Sequence, residues 1–123
     1  MSNGQLQGAG TTVLHQMDSY TSTSSKCTSA TSPVVCVEAA DRTLGGQIHT
    51  YANLLAVGHG FHAPGGDLSN ARDAAQTLAN SLEILGDAEP TQANYDQVLN
   101  TFNIASAIHS LQGDVTKLNG QLG

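Results

Sequence analysis

The sequence predicts an all-α fold: a four-helix up-down-up-down bundle forming a single domain over residues 1–123, with a disulfide-pinned loop between helices 1 and 2. Three observations predict it. Leu68, Ala71, Ala75, Leu78, Leu82 and Leu85 recur at steps of 3, 4, 3, 4 and 3, which sets all six on one stripe of an α-helix. Ile104, Ile108, Leu111, Val115, Leu118 and Leu122 repeat the rule at steps of 4, 3, 4, 3 and 4. Two further amphipathic segments precede these, and connections of roughly 4 to 13 residues join antiparallel neighbours in a bundle.

The first helix is predicted over residues 5–20. Leu6, Val13, Met17 and Tyr20 form its apolar stripe, with Ala9 and Leu14 beside it. Gly8 and Gly10 weaken its first turns by up to about 1 kcal/mol each relative to alanine, so a frayed start is expected. Residues 21–32 are almost wholly Ser and Thr and read as a polar loop. The second helix starts at Ser32-Pro33, serine as N-cap and proline in the first helical position. Val34, Val37, Ala40, Leu44, Ile48, Tyr51 and Leu55 make its stripe, with Glu38 and Arg42 paired at i,i+4 on the solvent side. Gly45-Gly46 interrupts it at a combined cost of about 2 kcal/mol. That pair marks a kink, a close helix contact, or a point where a ligand or partner backbone comes near.

Gly58 to Gly66 is a glycine-rich linker. Asp67 or Ser69 then caps the third helix, Ala74, Ala79 and Ile84 widen its stripe, and Gly86 ends it after Leu85. Asp87-Ala88-Glu89-Pro90 turns the chain, and Thr91 caps a long last helix running from Tyr95, Val98, Leu99 and Phe102 through to Leu122. Gly113 and Gly120 loosen its end.

Composition narrows the classes of function. Charged residues are 11% and aromatics 4%, and the hydrophobic 39% relies on alanine, so the core is expected to be thin and closely packed. Four basic against ten acidic residues give a net charge of −6, which argues against nucleic acid and anionic membrane as partners. No apolar run is long enough to span a bilayer. Met1-Ser2-Asn3-Gly4 carries no basic region followed by an apolar one, so any signal or anchor segment is expected to lie outside this chain.

Two cysteines, Cys27 and Cys36, lie close together among Ser, Thr and Pro. An even count in so polar a stretch predicts a disulfide and hence an oxidising, extracytoplasmic compartment, secreted or anchored to the cell envelope. The alternative is two separate thiols, with Cys36 in a first helical turn as the reactive one. Eight intervening residues fit no compact metal hook.

Five histidines are the chain's unusual supply of reactive groups. His59 and His62, spaced i,i+3 in the glycine linker, are candidate ligands for a transition metal or for haem iron, with Tyr51 a further candidate haem ligand. Asp67 is their nearest carboxylate in sequence. The plainer reading makes them exposed loop residues that bind nothing. His15, His49 and His109 adjoin the stripe residues Leu14, Ile48 and Ile108 and are expected at the core margin. No Gly-x-Ser-x-Gly elbow occurs, the carboxylates fall on polar faces without a dyad, and the linker glycines follow no strand and lack a lysine. No catalytic residue is therefore assigned.

In composition, cysteine pair and helix count the chain resembles the Ala/Thr-rich extracytoplasmic helical domains of high-GC Gram-positive bacteria; no motif carries that resemblance and no residue role is transferred from it. The expected function is a non-enzymatic, extracytoplasmic binding or interaction module for a protein, a small ligand or a second copy of itself. The alternative is a small haem or metal carrier using His59 and His62.

Overall fold

The computed structural model describes residues 2–56 and 66–122. They form α1 (Asn3–Lys26), a short 3-10 turn (Cys27–Ser29), α2 (Pro33–Ala56), α3 (Asp67–Gly86), α4 (Gln92–Phe102) and α5 (Ile104–Leu122), with no strand among them. The fold is all-helical, with five α-helices among the described residues and not the four expected. The extra one comes from a break in the predicted last helix. Asn103 adopts φ 49 and ψ 59, the left-handed region, and ends α4 with its N–H on the Leu99 carbonyl. Asparagine tolerates this conformation better than other non-glycine residues.

α2 packs closely on α3, α1 on α2 and on α5, and α3 on α5. Each of these pairs runs antiparallel. His49 of α2 meets Asn80 and Glu83 of α3, while Arg42, two turns earlier, reaches Gly86, at the far end of α3. Across α1 and α5, Gln7 and Asn119 exchange hydrogen bonds at 3.0 and 3.2 Å, and Gln112 reaches Asp18 at 3.1 Å. Asp67 in the first turn of α3 accepts from Gln121 of α5 at 2.5 Å and pairs with Lys117 at 3.4 Å. Its negative charge also suits the positive end of the α3 dipole. α4 crosses from the end of α3 to the start of α5 and buries one residue, Tyr95.

The buried side chains form one continuous core. The α5 stripe is buried at all six expected positions, and of the six on α3 only Leu68 is partly exposed. Ile84, expected to widen the α3 stripe, is 51% exposed. The start of α1 is not frayed: Ser2 accepts from the Gln5 N–H, and the Gln5 side chain accepts from the Ser2 N–H. This capping box satisfies donors that the first turn would otherwise leave open. Nor is 21–32 a loop throughout, because α1 continues to Lys26. Thr21 and Ser25 hydroxyls return to the carbonyls four residues back, which lets a polar stretch stay helical. Only 30–32 link the 3-10 turn to α2.

Glycines set the α2–α3 spacing. A Cβ on Gly45 would stand 3.3 Å from the Leu82 Cβ and 3.4 Å from the Ala79 carbonyl oxygen, so the expected interruption is a close helix contact. Gly86 is the last residue of α3 and lies against the Glu38 carbonyl and the Arg42 N–H, each 3.2 Å from where a Cβ would be. Its role is this close approach; the capping position after it is Asp87, and the N-cap of α3 is Gly66, at φ 75, instead of Asp67 or Ser69. The 3-10 turn buries Cys27 and sets it at disulfide distance from Cys36, with Cα atoms 5.6 Å apart.

Candidate functional site

The polar centre of the molecule sits where the periodicity of α2 places acids on the inward face. Val34, Glu38, Asp41, Leu44, Ile48, Tyr51 and Leu55 are its buried large side chains, so Glu38 and Asp41 occupy seam positions. The expectation that Glu38 faces solvent is thereby corrected. An isolated buried carboxylate is costly unless hydrogen bonds replace its water.

Asp41 has that replacement. It is fully buried, its Oδ1 accepts from the Tyr20 hydroxyl at 2.6 Å, and its Oδ2 accepts from the Tyr95 hydroxyl at 2.9 Å. Tyr20 continues the α1 stripe of Val13 and Met17; Tyr95 follows Thr91, whose side chain accepts from Asn94 and starts α4. One carboxylate thus ties α1, α2 and α4 together. Burial pushes the Asp41 carboxyl above its ordinary pKa, against the opposing pull of the two hydroxyls and Arg42. Burial and the neighbouring Asp41 push both tyrosines well above the usual phenol range, so each remains a donor.

Glu38, one turn earlier, is 3% exposed, and its Oε2 has no hydrogen-bond partner. Burial pushes its pKa up, Arg42 opposes this, and Asp41 and Asp87 add to it. Arg42 turns its guanidinium to the Gly86 carbonyl, at the negative end of the α3 dipole.

Several concave surfaces flank this centre, among them one of about 490 Å³ between α1 and α2 with Tyr20 in its wall. A groove of about 570 Å³ runs between α1, α2, α4 and α5, and Tyr20 and Tyr95 form part of its wall. Val37, Leu99, Ile104 and Ile108 give it an apolar lining, while Ser24, His109 and Gln112 stand along it with polar groups. On the other side a smaller cavity of about 330 Å³ lies between the start of α2 and the turn after α3, with Glu38, Arg42 and Asp87 among its walls.

Of the residues singled out in the sequence, Cys27 and Cys36 are brought together. Tyr51 lies in the bundle interior, 2% exposed, with its hydroxyl buried and unpartnered, and burial raises its pKa. His59 and His62 lie outside the described residues. His15 and His109 are exposed and not at the core margin; His49 bridges Glu83 at 3.1 Å and Asn80 at 3.0 Å on the surface. Among the described residues, no group of three His, Cys, Asp or Glu is placed to hold a metal ion. No described helix is long and apolar enough to cross a membrane. Asp41, Glu38 and Tyr95 were not singled out by spacing, although Tyr20 and Tyr95 are two of only three tyrosines and both lie on apolar stripes, where a hydroxyl needs an acceptor. Comparison of the chain with protein-family models, with curated proteins and with solved structures gave no match.

Proposed function

We propose that this chain is a non-enzymatic, extracytoplasmic binding module whose ligand is a small, largely apolar molecule held in the groove between α1, α2, α4 and α5. The observation that carries the reading is the groove itself: concave, apolar in its lining, with a few polar groups along it, as small-molecule sites usually are. Its volume of about 570 Å³ lies within the range of drug-sized sites. The Tyr20–Asp41–Tyr95 network beneath supports it by fixing the ring positions that form one wall. The Cys27–Cys36 pair supports the extracytoplasmic part, because disulfides persist in oxidising compartments.

Titration with Nile red, a neutral apolar dye, tests the groove. Saturable fluorescence enhancement by the native protein is expected. Ala105 lines the groove and is exposed, so Ala105→Trp fills it from the solvent side without disturbing the core. That variant should keep its helical circular dichroism and lose the enhancement. An unsaturable native response, or one that survives the tryptophan, overturns the groove as the site.

A further inference from the structure

α4 is held to the rest of the molecule by very little. It buries one residue, Tyr95, and its backbone packs only lightly on α3 and less on the other helices. Val98, Leu99 and Phe102, its remaining large apolar side chains, are only partly buried. Among the described residues, the Tyr95 hydroxyl on Asp41, at 2.9 Å, makes the one hydrogen bond from α4 to another helix, and no ion pair reaches it. Both ends are joints. The 87–91 turn leads into the helix, and Asn103 leads out of it at φ 49 and ψ 59. A few residues at element ends suffice to absorb the rotation of a rigid segment. Gln92, Tyr95, Asp96 and Leu99 of this same helix form one wall of the apolar groove, and α1, α2 and α5 supply the rest.

We propose that α4 is a hinged wall of the groove, which swings about the 87–91 turn and Asn103, is latched shut by Tyr95 on Asp41, and admits and releases the ligand. As a gate for a ligand, α4 depends on the reading of the groove as a small-molecule site. A single hydrogen bond contributes little net stability, because water replaces it when it breaks. The latch therefore opens without unfolding the stripes of α2, α3 and α5, which pack on one another in the core. In the shut position Leu99 and Tyr95 line the groove together with Ile104 and Ile108. A bound apolar molecule adds contact with Leu99, so filling the groove favours the shut position.

The test is alkylation of the full chain with iodoacetamide under native conditions, with the disulfide left oxidised. Ile108 lines the groove and is 6% exposed, whereas Leu111, three residues on, is fully enclosed and forms no part of it. Ile108→Cys should react far faster than Leu111→Cys, and almost independently of urea below the unfolding transition, since opening α4 exposes little surface. Adding Tyr95→Phe should speed the reaction of Ile108→Cys at least fivefold and keep its weak urea dependence; exposure through a fixed groove would not respond. The same steep urea dependence at both positions, or an Ile108→Cys rate unmoved by Tyr95→Phe, overturns the proposal. Relaxation dispersion on the unmodified protein gives an answer even where a cysteine variant misfolds. Amides of α4 should show microsecond-to-millisecond exchange that those of α3 lack, and flat profiles along α4 overturn the hinge. Saturating Nile red should slow alkylation of Ile108→Cys. Opening of α4 without that protection would uphold the hinged wall and reject the groove as the ligand site, so the two readings fail separately.

Discussion

Asp41 carries a buried carboxyl that joins hydroxyls from two other helices. Its carboxyl, like that of Glu38, has a pKa raised above the unfolded value of about 4, with burial as the largest cause. Each group therefore holds its proton more tightly folded than unfolded. Below about pH 4 both states are protonated and the contribution to stability is fully present. As pH rises from there through the higher folded values, unfolding releases protons and stability falls. Asp41→Asn keeps the shape and an acceptor for a tyrosine hydroxyl, so urea midpoints measured from pH 4 to 8 should fall less steeply in that variant. Tyr95→Phe removes one of the two donors and should cost about 1–3 kcal/mol. The burial of Asp41 and Glu38 is not legible in the sequence. Spacing put apolar side chains inward on α2 and sent Glu38 outward. What makes an acid tolerable at position 41 is a pair of hydroxyls from α1 and α4, 21 and 54 residues away, and periodicity within one segment carries no trace of them.

At the scale of the elements, α2 and α3 owe their close contact to glycine. Gly86→Ala would press a methyl group against the Arg42 side chain and the α2 backbone and should destabilise the protein. Gly46 has nothing within 4 Å of its missing Cβ, so Gly46→Ala should stabilise by about 0.5–1 kcal/mol through helix propensity alone. Opposite signs in thermal melts of the two variants are the check. α4 is the contrasting case. It buries only Tyr95, is entered from the 87–91 turn and is left through Asn103. Its amides should exchange with solvent faster than those of α2 and α3, and Tyr95→Phe should widen the difference. The stripes of α3 and α5 were legible because packing there follows period and nothing else. The break at Asn103 left a trace as well: Phe102 to Ile104 is a step of two, out of phase with any continuous stripe.

For the molecule as a whole, stability rests on a core with no tryptophan, in which leucine is the commonest residue among those described. Leu78→Ala and Leu111→Ala, both within the fully enclosed part, should each cost about 2–5 kcal/mol in denaturant unfolding. The disulfide adds a smaller share. Cys27 and Cys36 are nine residues apart, and a ring that short constrains the unfolded chain by roughly 2–3 kcal/mol, which reduction should remove. Alkylation of non-reduced protein recovered from its natural compartment bears on location: no incorporated label is expected, and two labels would overturn the extracytoplasmic reading.

The link at 30–32 offers a protease an accessible site, with Thr31 and Ser32 exposed. Cleavage there would not separate the pieces. The severed α1 segment would stay tethered through sulfur to the first turn of α2, with Tyr20 still on Asp41 and Gln7 still on Asn119. A nicked molecule would therefore run as a single band without reductant and as two bands with it.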